Sequence, residues 1–230
     1  MNRGEMIDVL ATTGLFGGVG RPVLEMVAAG THPRVYARDQ FLWYQGDPGD
    51  RLIVVVDGLV KVVVHGMSGD QVVLAALGPP ETLGELALVD RRPRSASVIA
   101  ARTTTALLIN RSVLLDLMQR DSGFLESMLS SLGSILRRLT EQTADMVFLD
   151  LGGRIAKLLL SLGEEHGRQS RGTTLLELRL TQTDLAQMVG ATRPAVNRVL
   201  QSFVARRLIS IDGHTITIHD DTALRRRAGL

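Results

Sequence analysis

A chain of 230 residues with 45% hydrophobic and 22% charged residues has the balance of a globular protein, enough for one large domain or two ordinary ones. It contains no cysteine, which excludes a disulfide framework, a thiolate zinc site, a Cys-ligated iron–sulfur cluster and a thiol switch; aromatics at 3% require an aliphatic core. The formal net charge of +2 does not announce nucleic acid, but arginines gather late (Arg193, Arg198, Arg206, Arg207, Arg225, Arg226, Arg227) while Asp39, Asp47, Asp50, Asp57 and Glu81 sit early, which fits either a nucleic-acid-binding end or a solvated arginine-rich tail.

Glu5 and Asp8 interrupt the first ten residues, and the longest apolar run, 52–56, is too short for a bilayer. No signal peptide, membrane span or membrane partner is therefore expected, and the protein is placed in the cytoplasm. Short helices are predicted at 5–10 and 22–29. Strands follow at 35–37, 52–56, 60–64, 72–77, 97–100 and 104–109, separated by Gly46-Asp47-Pro48-Gly49, Asp57-Gly58, Gly66-Met67-Ser68-Gly69 and Gly78-Pro79-Pro80. Short β-branched runs at that spacing predict an antiparallel roll, barrel or sandwich.

Between two of these strands lies Leu83-Gly84-Glu85-Leu86-Ala87-Leu88, then Arg94-Ser95-Ala96-Ser97-Val98. A glycine opening a short helical turn presents backbone N–H groups, here those of Leu86 and Ala87, that can cradle a phosphate. Arg94 can neutralise the anion, Ser95 can add a hydroxyl donor, and Glu85 can accept from sugar hydroxyls. The same residues would also make a roll corner closed by an Arg–Glu ion pair.

From 112 to 149 the pattern turns helical. Asp121 or Ser122 can cap, and Leu125, Leu129, Leu132, Leu136, Leu139 and Met146 recur at four- and three-residue steps, with Thr143 in the gap. This seam predicts a helix that either lies on the roll or pairs with a second copy. Beyond it, 154–162 reads as an amphipathic helix, 164–173 as a loop and 175–180 as a strand.

Thr181 and Asp184 form a capping-box-like start, Gly190 ends the helix they open, Thr192 can cap the next, and Pro194 sits in its first turn. Val196, Val199, Leu200 and Phe203 face inward, leaving Thr192, Arg193, Asn197 and Arg198 outward. Two short helices joined at a glycine are a helix-turn-helix signature, and Asp212-Gly213 between 208–211 and 215–218 marks a hairpin, the wing. Arginine can donate bidentately to guanine, and asparagine can read adenine or bind phosphate. His32, His65, His166, His214 and His219 are scattered without metal-ligand or triad spacing, so neither a metal site nor an enzyme is expected.

The 83–98 stretch resembles the phosphate-binding cassette of cyclic-nucleotide-binding domains, and Gly46-Asp47-Pro48-Gly49-Asp50 with Gly58 resembles that domain's glycine-bearing turns. Phe148-Leu149-Asp150 through Arg154-Ile155-Ala156, with 185–200, resembles the hinge and reading helices of the cAMP-receptor/FNR superfamily of bacterial regulators. Nearly the whole chain is covered. The resemblance implies an α+β protein: a jelly-roll-like sensor (1–118), a long dimerisation helix with hinge (119–150) and a winged helix-turn-helix (151–230). It implies that Glu85 binds the ribose 2′-hydroxyl, and that Arg94, Ser95 and the turn after Gly84, with the Leu86 and Ala87 amides, hold the cyclic phosphate. Thr140 would contact the base across a homodimer. Arg193 and Arg198 would read guanines in a pseudo-palindromic duplex, and RNA polymerase would be a further partner. The effector implied is cAMP, with cGMP or another cyclic nucleotide as the alternative; a ligand-independent regulator with a non-responsive pocket is the second reading. Two departures bear on specificity: Leu139 stands where cAMP-binding members often carry a polar residue, and Pro194 replaces an acidic residue that reads cytosine. The pair Gly152-Gly153 is read as the hinge.

Overall fold

The computed structural model describes residues 1–66, 71–170, 172–177 and 180–230, and of His166 only the backbone. It divides into two compact units, Met1–Arg138 and Leu139–Leu230.

The first unit opens with α1 (Arg3–Thr12), started by an Asn2–Glu5 capping box, and α2 (Arg21–Ala29), started by a proline in its first turn. The strands β1 (Thr31–Tyr36), β2 (Phe41–Trp43), β3 (Arg51–Asp57), β4 (Val60–His65), β5 (Gln71–Leu77) and β6 (Thr82–Leu83) follow. After α3 (Glu85–Asp90) come β7 (Ser97–Ala100), β8 (Thr104–Asn110), α4 (Arg111–Arg120) and α5 (Ser122–Phe148). Two antiparallel four-stranded sheets, ordered β1-β8-β3-β6 and β2-β7-β4-β5, make the roll.

The continuous apolar run of β3 has a direct cause: its sheet is covered on both faces. Leu52 and Val54, with Leu107 and Ile109 of β8, pack outward against Leu10, Leu24, Val27, Leu114, Leu117 and Phe124 of the helices. Ile53 and Leu108 turn inward to Tyr36 and Ala100, while Val55 meets Val60, Leu83 and Val98. The predicted strands are present, with β1 running earlier than 35–37 and β2 and β6 added. The turn at 66–69 lies mostly outside the described residues.

The helical stretch from 112 divides at Asp121, one of the two caps that the sequence offers, whose backbone is extended (φ −129°, ψ 104°). Its carboxylate caps α5 by accepting from the Phe124 N–H at 2.9 Å. The first turns of α5 bury Phe124 and Met128 in the roll's outer core, so this part of the helix lies on the roll. Beyond it the seam is open: Leu129 is 60% exposed, Leu136 67%, Leu139 39% and Met146 55%.

The second unit contains α6 (Leu151–His166), β9 (Arg168–Ser170), β10 (Thr173–Leu176), α7 (Gln182–Met188), α8 (Arg193–Ala205), β11 (Ile209–Asp212), β12 (Thr215–Ile218) and α9 (Asp221–Arg227), with sheet order β11-β12-β10-β9. The loop predicted at 164–173 is corrected: α6 runs three residues into it and β9 pairs with β10 through Ser170, Gln169 and Arg168. The strand predicted at 175–180 begins earlier, at Thr173, and Leu178 and Arg179 lie outside the described residues.

The arginine-rich end is neither loose nor wholly available to a ligand. It forms α9, where Arg225 bonds Asp221 and Glu164 (both 2.7 Å) and Arg227 bonds Asp150 (2.6 Å). Gly152 and Gly153, read as a hinge, lie buried in the first turn of α6; a Cβ on Gly152 would meet the Arg227 guanidinium at 2.4 Å, which gives this glycine a packing role.

Candidate ligand pocket and nucleic-acid interface

Gly84 ends β6 and opens α3 with φ +104°, a backbone state that glycine adopts without a steric penalty. It has no room for a side chain either: a Cβ would stand 2.4 Å from Arg94 Nη1. Arg94, 5% exposed, donates Nη1 to the Gly84 carbonyl (3.2 Å) and Nη2 to the Arg51 carbonyl (2.6 Å), and its guanidinium lies 4.1 Å from the centre of the Trp43 ring. Its Nε is buried with no hydrogen-bond partner. Burial lowers its affinity for the proton, while Asp50, Glu85 and Asp47 act in the opposite sense.

Glu85 is also 5% exposed. Its Oε1 accepts from Thr82 Oγ1 at 3.0 Å and, at the outer limit of a hydrogen bond, from Ser131 Oγ of α5 at 3.5 Å. Desolvation pushes its carboxyl above the ordinary carboxylate value, against the hydrogen bonds from its own backbone, Thr82 and Gly84. Arg94 makes no ion pair with Glu85 or any other acid among the described residues, so the Arg–Glu closure that the sequence allowed is not present. Two buried ionisable groups thus flank one glycine with no ion pair between them, and Arg94 Nε is left without a hydrogen-bond partner.

The backbone clamps this corner. Arg94 N donates to Asp47 O (2.8 Å), Gly46 N to Arg94 O (2.9 Å), and Gln45 N to Ser97 Oγ (2.8 Å). Ala87 is buried and Leu86 exposed, both in the first turn of α3, where the N–H groups have no intrahelical partner; Ser95 is exposed beside Arg94. Beside the cassette, a cavity of about 260 Å3 is lined by Trp43, Tyr36, Asp47, Asp50, Arg51 and Arg94 among others. Thus Gly84, Glu85, Leu86, Ala87, Arg94 and Ser95 are brought together. Thr140 is exposed on α5 and belongs to the second unit. Sequence reasoning missed Trp43 and the Arg51 carbonyl, which no local pattern singles out.

In the second unit the capping box forms as predicted: Thr181 Oγ1 accepts from Asp184 N (3.1 Å) and Asp184 Oδ2 accepts from Thr181 N (2.7 Å). Gly190 adopts φ +63° after α7, and Pro194 sits in the first turn of α8. Thr192 is the N-cap by position, but its side chain makes no capping bond. Val196, Leu200 and Phe203 are buried; Thr192, Arg193, Asn197 and Arg198 are exposed. Neither Arg193 nor Arg198 has an ion-pair partner among the described residues, in contrast to Arg225 and Arg227. A concavity of about 460 Å3 joins Arg193 to the start of α7 (Thr181, Gln182, Thr183) and to the β11–β12 turn (Gly213, His214). Those α7 and wing residues widen the face beyond the four named from sequence. Among the described residues no three His, Asp or Glu side chains are grouped to hold a metal ion, and no helix is long and apolar enough to cross a membrane.

Comparison with known proteins matches this geometry. Residues 33–121 match the family described as "Cyclic nucleotide-binding domain", and residues 153–227 the "Crp-like helix-turn-helix domain". The "CRP-like cAMP-activated global transcriptional regulator" of Mycobacterium tuberculosis is 33% identical over 223 residues, 97% of this chain and 100% of that one. Among solved structures, FixK2 of Bradyrhizobium japonicum superposes with a TM-score of 0.78 at 18% identity, covering 85% of this chain and 96% of that one. The c-di-GMP-responsive regulator CLP of Xanthomonas campestris superposes with a TM-score of 0.74 at 25% identity, covering 87% and 100%. With a nucleotide-type cassette on a β-roll, a winged reading unit and a relative matched along its whole length, the chain belongs to the CRP/FNR family of transcriptional regulators.

Proposed function

We propose that the protein is a cytoplasmic homodimer whose grip on a pseudo-palindromic DNA site is set by a cyclic nucleotide, cAMP first, bound at the Gly84–Ser95 cassette. The observation that carries this reading is Arg94: a buried guanidinium with a free Nε beside Gly84, facing a buried Glu85 that it does not neutralise. The cyclic nucleotide supplies one phosphate negative charge and a ribose hydroxyl, the two features that this pair lacks. Arg94, Ser95 and the Leu86 and Ala87 amides would hold the phosphate, Glu85 the 2′-hydroxyl, and Thr140 the base. No side chain on Gly84 could share that space.

Transmission would run along α5. Ser131 touches Glu85 from this helix, whose continuous span from Ser122 to Phe148 belongs to both units. The exposed Leu129, Leu136 and Met146 stripe suits pairing with a second copy. Arg193 and Arg198 would read guanines, Asn197 adenine or a phosphate, and Thr192 the backbone, with His214 and Thr183 adding contacts from wing and α7. The division into sensor 1–118, helix and hinge 119–150, and reader 151–230 expresses these roles. RNA polymerase would be contacted by the DNA-bound dimer, and no metal is required.

For coupling to operate, nucleotide must bind the DNA-competent arrangement more tightly than the other. Leu139 is the observation favouring a ligand-independent regulator, because it offers a base no polar group. Arg94→Leu separates the two. Calorimetry with cAMP and cGMP, beside a gel shift, should show that the variant binds nucleotide far more weakly and loses its response while keeping its melting transition. Unchanged nucleotide affinity in the variant removes the pocket from the account.

A further inference from the structure

Arg94 is held at three places. Nη1 and Nη2 are fixed by the Gly84 and Arg51 carbonyls, and one face of the guanidinium rests on Trp43. The cavity of about 260 Å3 is lined by both Arg94 and Trp43, so part of the Arg94 side chain borders open space. A long, rotamer-rich side chain at the edge of a void has room to swing away from Gly84. Trp43 is what limits that swing. Its ring is itself immobilised: Nε1 donates to the Ala96 carbonyl at 2.9 Å, the residue after Ser95, and the ring packs among Val55, Val60, Leu83 and Val98. One side chain of β2 thus holds the Arg94 guanidinium by its face, its own edge anchored on the Ala96 carbonyl.

We propose that Trp43 is the positioning residue of the anion pocket, acting through Arg94. This rests on the reading of the cassette as a nucleotide site. The indole is a desolvated cation–π partner and not a ligand contact. It keeps the guanidinium under the Gly84 turn, so an arriving phosphate meets a positive charge already in place and does not have to order it. A second consequence follows from composition. Trp43 is the only tryptophan of the chain, so its emission reports this stack alone.

The test uses the full chain with cAMP as the probe, by calorimetry on the parent, Trp43→Phe, Trp43→Leu, Arg94→Leu and the Trp43→Leu/Arg94→Leu pair, each shown to melt cooperatively. Trp43→Leu is expected to weaken binding about tenfold, as befits loss of a buried cation–π contact. Trp43→Phe keeps the aromatic face and loses the indole donor, and should stay within about threefold of the parent. The double variant should bind no more weakly than Arg94→Leu alone, because the ring acts only through the guanidinium. Parent Trp43 emission should shift when Arg94 is replaced by leucine. Trp43→Leu binding like the parent, phenylalanine failing as badly as leucine, or additive losses in the double variant would each overturn the proposal. If instead Arg94→Leu binds cAMP as tightly as the parent, the pocket reading itself fails, a result distinct from Trp43→Leu alone being silent.

Discussion

Gly49 stands in the turn between β2 and β3, and its missing side chain is what lets α3 approach. A Cβ built there would lie 2.1 Å from the Ala87 Cβ and 3.3 Å from the Ala87 Cα. Ordinary carbon–carbon contact is about 3.5–4.0 Å, so Gly49→Ala would force the turn and α3 apart by about 1.5 Å or more. Neither side yields easily. The turn is tied to the cassette by Arg94 N to Asp47 O (2.8 Å) and to α4 by Arg111 N to Asp50 O (2.9 Å), and the next residue of α3, Leu88, is 2% exposed in the core. Overpacking of this kind costs about 1–3 kcal/mol, and a clash between two β-carbons with no flexible end belongs near the top of that range. For a domain of this size that is a fall of about 6–10 °C in melting temperature. Nucleotide affinity should drop as well, by about tenfold, because the Leu86 and Ala87 amides move with α3. The assay is thermal melting and calorimetric titration of Gly49→Ala, Ala87→Gly and the pair. The pair should recover more than half of the loss, since removing the opposing methyl reopens the space. A Gly49→Ala protein melting within about 1 °C of the parent, or a pair no more stable than Gly49→Ala alone, would refute the close-approach reasoning.

Three further outcomes are expected. Glu85 has its carboxyl raised by desolvation, so the folded state holds its proton more tightly than the unfolded one; stability is present below the ordinary carboxylate value and declines as pH rises through it toward the raised value. Glu85→Gln should therefore gain in melting temperature over the parent as pH is raised above the ordinary carboxylate value, while binding nucleotide less well; a constant gap would contradict the assignment. Asp150 shows the opposite sign: the Arg227 bond and the Gly153 N–H hold its carboxyl low, so its contribution is present above the ordinary value and is lost as pH falls. Asp150→Ala should cost about 1 kcal/mol at neutral pH, mostly the lost helix cap, and the difference from the parent should shrink on acidification in a melting series. Leu136→Lys places a charge on the exposed seam of α5 and should convert a dimer to a monomer in sedimentation at micromolar concentration, with the β-roll still folded; a parent that sediments as a monomer would remove the dimer from the account.

The parts legible in sequence were those where a local rule and a tertiary need coincide. Gly84 had to be glycine both for its φ and for Arg94, so the cassette was visible as a motif. The Thr181–Asp184 box and the Gly190 stop are local chemistry and appear where the residues placed them. The elements that escaped have no local signature. β9 is three exposed polar residues whose only support is the ladder to β10, so no apolar alternation marks it. The start of α5, by contrast, is local chemistry: of the two caps that the sequence offers, Asp121 is the one used. The ends of the chain misled for a related reason: Arg225 and Arg227 are spent on Glu164 and Asp150, acids more than sixty residues away, whereas Arg193 and Arg198 are left exposed. Trp43 was silent because its meaning depends on two cassette residues that come beside it only in the folded roll.

The central claim, that occupancy of the Gly84–Ser95 cassette governs the reading face at Arg193 and Arg198, is tested most directly by selection from a random duplex pool at fixed salt, with and without cAMP or cGMP. One cyclic nucleotide is expected to increase greatly the recovery of a sequence with two guanine-bearing half-sites related by a dyad, their centres about one helical turn apart. Recovery of the same sequences at the same affinity in the absence of every nucleotide would contradict it.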